Sequence, residues 1–216
     1  MSQIWIIRHA ESKSNAGEKT TNPAKIDLTE KGYKQAACIV NAFKNRPNLI
    51  VTSPYLRTKQ TAEPLVKRFS DVEQQEWLVH EFTYLSPEKC KDTTTQERRP
   101  LVAEYWERCD PFFNDGDGAE SFADLMNRIE YFIEKVKLSD NEFTAVFSHG
   151  LFIRALIWRF IVGKPNELPH GMKRFRSFMA SLEISNATMI KLQVEKDGSI
   201  WMSSVENGYI PLELLT

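Results

Sequence analysis

Two short apolar runs that stop abruptly at a histidine constrain this chain more than any other feature. Residues 3–7 lead straight into Arg8-His9-Ala10-Glu11-Ser12, and residues 144–147 into Ser148-His149-Gly150. An apolar run of strand length without alternation suits a strand buried on both faces, as in a parallel sheet covered by helices on each side. Polar residues then sit at the carboxyl end of each strand. Residues 49–51 form a third such run, followed by Thr52-Ser53-Pro54, and residues 77–79 a fourth, ending in His80-Glu81.

Between these runs the period becomes helical. Thr29 can cap a helix in which Tyr33, Ala36, Ala37, Val40 and Phe43 share a face and which should end near Pro47. Ser53 reads as the N-cap of another, with Pro54 and Arg57 on its opening turn; Pro64 should kink or end it, a second segment continuing toward Phe69. Ser121 caps the clearest helix, with Phe122, Leu125, Met126, Ile129, Phe132, Ile133 and Val136 on its apolar face. Residues 151–162 form a strongly apolar helix stopped by Gly163 and Pro165. In residues 82–118 the periodicity weakens, prolines recur, and one short helix at 101–108 is expected. Residues 182–184, 189–194 and 199–203 read as strands, with Lys196-Asp197-Gly198 as a hairpin turn. This order predicts an α/β fold: a three-layer αβα sandwich with a mixed, mostly parallel sheet. Residues 1–216 form one domain in this reading, and residues 82–118 an inserted cap or lid excursion.

Charge and cysteine content narrow the partners. A formal net charge of -1 and a pI near 6.5 provide no overall positive field for nucleic acid or an anionic membrane, so any anionic ligand must be gripped locally. Cys38, Cys90 and Cys109 are far apart and form no C-x-x-C pair, which points to neither a disulfide framework nor zinc and suits a reducing compartment. The N-terminal segment lacks a basic leader, and His149, Arg154 and Arg159 interrupt the apolar stretch at 145–162, so a cytoplasmic location is expected.

In open α/β sheets ligands bind at the carboxyl ends of the strands. Here that edge would gather Arg8, Arg57, His9, His149 and Glu81, a set suited to a dianionic phosphoryl group. A neutral His9 nitrogen can attack phosphorus in line, with two guanidinium forks on the oxygens and their charge keeping the imidazole unprotonated. Glu81 would protonate the leaving oxygen and then deprotonate water, although Glu88 or Glu120 could take that role, or Glu81 could be a solvated acid. Asn15 can be a loop-stabilising residue. Arg98 and Arg99 can be an exposed charge pair or can reach over the site to a second anionic group. His80 and His170 read as structural or surface residues, and Tyr105, Trp106 and Phe112 as packing. His9-Ala10-Glu11 matches half of a zinc deaminase signature whose Pro-Cys-x-x-Cys half is absent, and Gly116-Asp117-Gly118 is no dinucleotide fingerprint.

Arg8-His9-Ala10-Glu11-Ser12 with Asn15, Ser53-Pro54 with Arg57-Thr58 and Gln60-Thr61-Ala62, and Ser148-His149-Gly150, in this order, resemble the histidine phosphatase (phosphoglycerate mutase-like) superfamily. The resemblance implies that His9 is the phosphorylated nucleophile, that Arg8, Arg57 and His149 complete the phosphate pocket, and that Glu81 is the acid. It makes Asn15 a phosphate contact; Gly150 and Arg99 join it as candidate substrate-binding residues. It implies no cofactor and no metal. Two departures stand out. Ala10 replaces the usual glycine after the nucleophile and should crowd the backbone, and Leu151 stands where mutases tend to have a polar residue, which favours hydrolysis. The leading function is thus metal-independent hydrolysis of a phosphomonoester. The competitors are a phosphoglycerate-type mutase, a non-catalytic phosphate-binding signalling module, and a metallohydrolase using both histidines, which the arginines disfavour. A small phosphorylated molecule is the expected partner, with a phosphoprotein as the alternative, and neither substrate nor oligomeric state is legible.

Overall fold

The apolar run at the start of the chain becomes the middle of a sheet. A computed structural model describes residues 1–165 and 167–216. In chain order its elements are β1 (Ser2–Arg8), α1 (Glu30–Ile39), β2 (Leu49–Thr52), α2 (Leu56–Arg68), β3 (Glu73–Glu76), α3 (Pro87–Cys90), α4 (Arg99–Arg108), α5 (Phe122–Lys137), β4 (Phe143–Ser148), α6 (Gly150–Val162), α7 (Leu168–Ser181), β5 (Met189–Val194) and β6 (Ile200–Met202). The strands lie in the order β3-β2-β4-β1-β5-β6. The first four are mutually parallel, whereas β5 runs antiparallel to β1 and β6 antiparallel to β5, closing the β1 side with the expected hairpin.

Burial on both faces follows from the alternation along β1. Ile4 and Ile6 enter a core with Phe122, Ile129, Phe152, Trp158 and Phe175 from α5, α6 and α7. Ile7 enters a second core with Ile39, Ala62 and Leu65 from α1 and α2. Helices therefore cover the two sides of a mixed sheet, the three-layer α/β arrangement that the sequence predicts. No helix among the described residues is long and apolar enough to cross a membrane.

Two caps form as expected. Thr29 accepts the Gly32 N–H at 3.0 Å, and Ser121 closes a reciprocal capping box with Asp124. Other boundaries differ. α1 ends at Ile39 and passes through a short 3-10 turn, Val40–Ala42, well before Pro47. α2 begins at Leu56, because the Ser53 side chain is turned toward His149; it also runs unbroken through Pro64, with Ala62 and Leu65 buried on either side of that ring. In place of the strand expected at 77–79, β3 is the exposed polar segment Glu73–Glu76, a charged edge that resists pairing with other chains. Residues 182–184 make no ladder, since the carbonyls of Leu182 and Ile184 accept from arginine side chains instead. α7 has no counterpart in the sequence reading.

α1 meets the loop after β1 at very close range. A Cβ on Gly32 would lie 2.0 Å from the Glu11 carbonyl oxygen, a backbone atom that cannot step aside alone. In an open helix Gly→Ala stabilises by up to about 1 kcal/mol. Gly32→Ala should instead destabilise by about 1–3 kcal/mol through overpacking. Thermal unfolding decides the sign, and a raised melting temperature would refute the contact.

Candidate active site

Because β1, β2, β3 and β4 are parallel, their carboxyl ends share one edge, and β5, being antiparallel, begins there. His9 is fixed in that corner by its backbone. Its N–H donates to Ser148 O at 2.9 Å, while its carbonyl accepts from Asn186 Nδ2 at 3.1 Å and from Ala187 N at 3.3 Å. The ring tautomer follows from its partners. Ala10 O, 2.7 Å from Nδ1, can only accept, so Nδ1 carries the proton. Nε2 keeps its lone pair and accepts from Arg57 Nε at 3.1 Å.

Arg57 projects from the first turn of α2. Its Nη1 donates to Pro23 O at 2.7 Å, and its guanidinium lies 4.9 Å from the centre of the Tyr55 ring. Arg8 donates through Nη1 to Ile184 O, while its Nε is buried without a protein partner. The His149 ring centre is 5.0 Å from that of His9. Its Nε2 shares a 2.7 Å hydrogen bond with Ser53 Oγ, which also meets Thr58 Oγ1 at 2.9 Å, and its Nδ1 is likewise buried and unpartnered. Gly150 opens α6 between two cations: a Cβ there would lie 3.3 Å from Arg8 Nε and 3.2 Å from Arg154 Nη1.

Burial governs the charges. It lowers Arg8 and Arg57 to about 10, partly offset by Glu81, so both stay cationic at neutral pH. His9 falls well below the ordinary histidine value, first through burial and then through Arg57 and Arg8, against a smaller upward pull from the Ala10 carbonyl. His149 is depressed likewise, by burial, Arg57 and His9. Two cations beside two neutral imidazoles favour an anion and repel a metal ion. Among the described residues no group of three or more His, Cys, Asp or Glu is placed to hold one.

Above this corner lies a cavity of about 220 Å³, and Glu81 is the one carboxylate among its described lining residues. Glu81 Oε1 accepts from Phe82 N at 3.1 Å and from Leu151 N at 3.0 Å on the first turn of α6. The alternative acids are placed differently: Glu120 is locked on Arg128 through both oxygens, and Glu88 is exposed outside the lining. Asn15 Oδ1 accepts from Ser12 N, Ser12 Oγ and Asn186 Nδ2, so its carbonyl end braces the loop. Arg99 is exposed outside the lining; Arg98 reaches the cavity wall instead. The Ala10 methyl does not crowd the site, since it is buried against Leu28 and Ala36. Tyr105 and Trp106 are core residues as expected, whereas Phe112 is 68% exposed.

Several residues have positioning roles that the sequence reading did not assign. Thr61 Oγ1 accepts the Ala10 N–H at 3.0 Å and donates to Arg57 O at 2.6 Å, joining the His9 loop to the Arg57 helix. Asn186 ties His9 to Asn15, and Arg154 donates to Leu182 O at 2.8 Å beside Gly150. Arg154 lies four residues, about one turn, beyond Gly150 on α6, a spacing that signals a shared face. Asn186 had no local signal.

The family model described as histidine phosphatase superfamily (branch 1) matches residues 4–203 of the chain. The chain is 27% identical over 171 residues to phosphoserine phosphatase 1 of Hydrogenobacter thermophilus, covering 72% of this chain and 74% of that one. It is 27% identical over 175 residues to the adenosylcobalamin/alpha-ribazole phosphatase of Salmonella typhimurium, covering 78% and 84%. A crystal structure of phosphoserine phosphatase from Entamoeba histolytica with 3-phosphoglyceric acid superposes with a TM-score of 0.68 at 18% identity, over 97% of this chain and 99% of that one.

The buried imidazoles have a consequence for stability. His80 is lowered to about 4, by burial and then Arg128, so His9, His80 and His149 all have folded values below the unfolded value of 6.5. The unfolded chain then binds protons first as pH falls. Stability from these groups is complete above about pH 6.5 and is lost progressively as pH drops toward 4, by at most about 1.4 kcal/mol per pH unit for each proton taken up. Melting temperatures between pH 7.5 and 5 should therefore fall, and less steeply in His80→Asn.

Proposed function

Since the chain belongs to the histidine phosphatase superfamily (branch 1), we propose that it hydrolyses a phosphomonoester without a metal, through a phosphohistidine on His9. The observation that carries this reading is the His9 tautomer. Nδ1–H is held by the Ala10 carbonyl, and the Nε2 lone pair is kept unprotonated beside Arg57. In the first step Nε2 attacks phosphorus and the ester P–O bond breaks, while Glu81 delivers its proton to the departing oxygen. As phosphorus approaches, the Arg57 Nε–H that capped the lone pair passes to a phosphoryl oxygen. Arg8 Nε and His149 Nδ1, two polar atoms at this corner that are buried without protein partners, are the other contacts to the oxygens.

In the second step water attacks the phosphohistidine, the P–N bond breaks, and the Glu81 carboxylate takes the water proton. Inorganic phosphate leaves and His9 returns neutral. His149 serves as a donor from Nδ1, either by proton uptake once the phosphate offsets the guanidinium charge or by a reversal of hydrogen-bond direction through Ser53 and Thr58. The backbone at Gly150 lets Arg8 and Arg154 approach closely, and the Asn15 amide nitrogen, left free by the bonds to Oδ1, is available to an oxygen. Leu151 adds an apolar wall where a mutase would need a polar grip on the retained intermediate. The same reading places the enzyme in the cytoplasm, where its three free cysteines stay reduced.

Hydrolysis of an alkyl phosphate in excess chelator should persist in the wild type and fall at least about a thousandfold in His9→Ala. Protein quenched after mixing with ³²P-labelled ester should carry label that acid removes and alkali does not. Label passed to a second alcohol with little free phosphate would mean a mutase. Glu81→Gln should cost far more on an alkyl phosphate than on an aryl phosphate, whose leaving oxygen needs little protonation; equal losses on both would remove Glu81 as the acid.

A further inference from the structure

We propose that the cavity beside the phosphate corner receives the alcohol portion of a phosphomonoester that is neutral and largely apolar, rather than an amino acid or a glycerate. The proposal rests on the phosphoester reading given above and concerns the part of the substrate that this reading leaves open. The walls are Ile26, Tyr55, Tyr84, Leu85, Val102 and Leu151, aliphatic and aromatic surface in continuity with Arg57 and Glu81. Its remaining polar groups are mainly neutral hydroxyls, from Ser14, Thr20, Thr83 and Thr95.

A substrate carrying a carboxylate needs a cation to meet it, because an unpaired charge in a partly desolvated cleft is costly. Apart from Arg57, which serves the phosphate, the cation among the described lining residues is Arg98. Its guanidinium is held by the protein: Nη1 donates to Thr93 O at 2.9 Å, Thr93 Oγ1 at 3.1 Å and Cys90 O at 3.3 Å, and Nη2 to Thr95 Oγ1 at 3.3 Å. Arg98 is therefore the clamp of the 90–95 turn, and turning it inward would forfeit those bonds. The neighbouring Arg99 is exposed outside the lining, and Glu81, the remaining ionisable carboxyl on the wall, offers a carboxylate no cation.

The size agrees with this assignment. An apolar cavity of about 150 Å³ holds a benzene ring, so about 220 Å³ accommodates one ring and a short linker above the phosphate. Burying such a group should contribute roughly tenfold to a hundredfold in affinity.

The test separates recognition from turnover by using phosphonates, which cannot be hydrolysed, with the wild-type chain. Calorimetry with 3-phenylpropylphosphonate and with 2-amino-4-phosphonobutyrate, the isostere of phosphoserine, should show the phenyl compound binding at least about tenfold more tightly. Val102→Arg, which sets a free cation on the wall, should narrow or invert that preference while inorganic phosphate still binds. Equal affinities, tighter binding of the amino acid analogue, or no binding of either at millimolar concentration would overturn the proposal. Phosphate release from 2-phenylethyl phosphate reports separately on the hydrolytic reading: selective phosphonate binding without release would sink the activity and leave the recognition standing.

Discussion

The arrangement depends on holding two guanidinium groups out of water beside an imidazole that must stay neutral. Arg8 and Arg57 lose much hydration at this sheet edge, and a buried cation is tolerated only where its N–H groups meet acceptors. The chain supplies these from backbone that would otherwise be loop or strand: Ile184 O for Arg8, Pro23 O for Arg57 and, beside them, Leu182 O for Arg154. Residues 182–184 are apolar enough to read as a strand, yet their carbonyls hold cations instead. Burial first, and then the charge that remains, lower the proton affinity of His9 and His149, and that charge makes the corner receptive to an oxyanion.

The position of His9 comes from elements far apart in sequence. His9 is held through its backbone by β4 and by the segment leading into β5, and the following residue is held by Thr61 from α2. α1 presses on the same loop through Gly32. Four elements thus meet on a few residues, and their rigidity favours a near-attack geometry over a mobile histidine. Glu81 is anchored in a related way, with one oxygen on the N–H of Leu151 at the start of α6, a favourable place for a carboxylate.

The segment between Phe82 and α5 has a different role. It contributes little to the sheet and much to the wall of the cavity, where Tyr84, Leu85 and Val102 face the phosphate corner across an apolar space. Two of its ionic groups are turned to internal tasks: Asp115 accepts from Ser86 N at 2.9 Å, and Arg98 holds its own turn.

The sequence by itself determined the strand ends and what they carry. Two apolar runs ending at His9 and His149 can be buried only inside a helix-covered sheet, which brings Arg8, His9 and His149 to one edge; Arg57 follows from the helix after β2. Helix caps at Thr29 and Ser121 were legible because the capping bond is local. Tertiary structure alone decided the rest. The polar edge strand β3 pairs through backbone groups that no side-chain pattern reveals, and α7, lying outside the strand-ending motifs, is fixed by packing its Met172 and Phe175 into a core that other elements build. Asn186 reaches His9 only because β5 runs antiparallel and starts at the catalytic edge, and of two adjacent arginines only Arg98 meets the cavity because helix phase turns Arg99 away. Local patterns report what a residue does to its own turn or strand; contacts across the sheet edge depend on strand order and direction, which the chain specifies only once all its layers pack together.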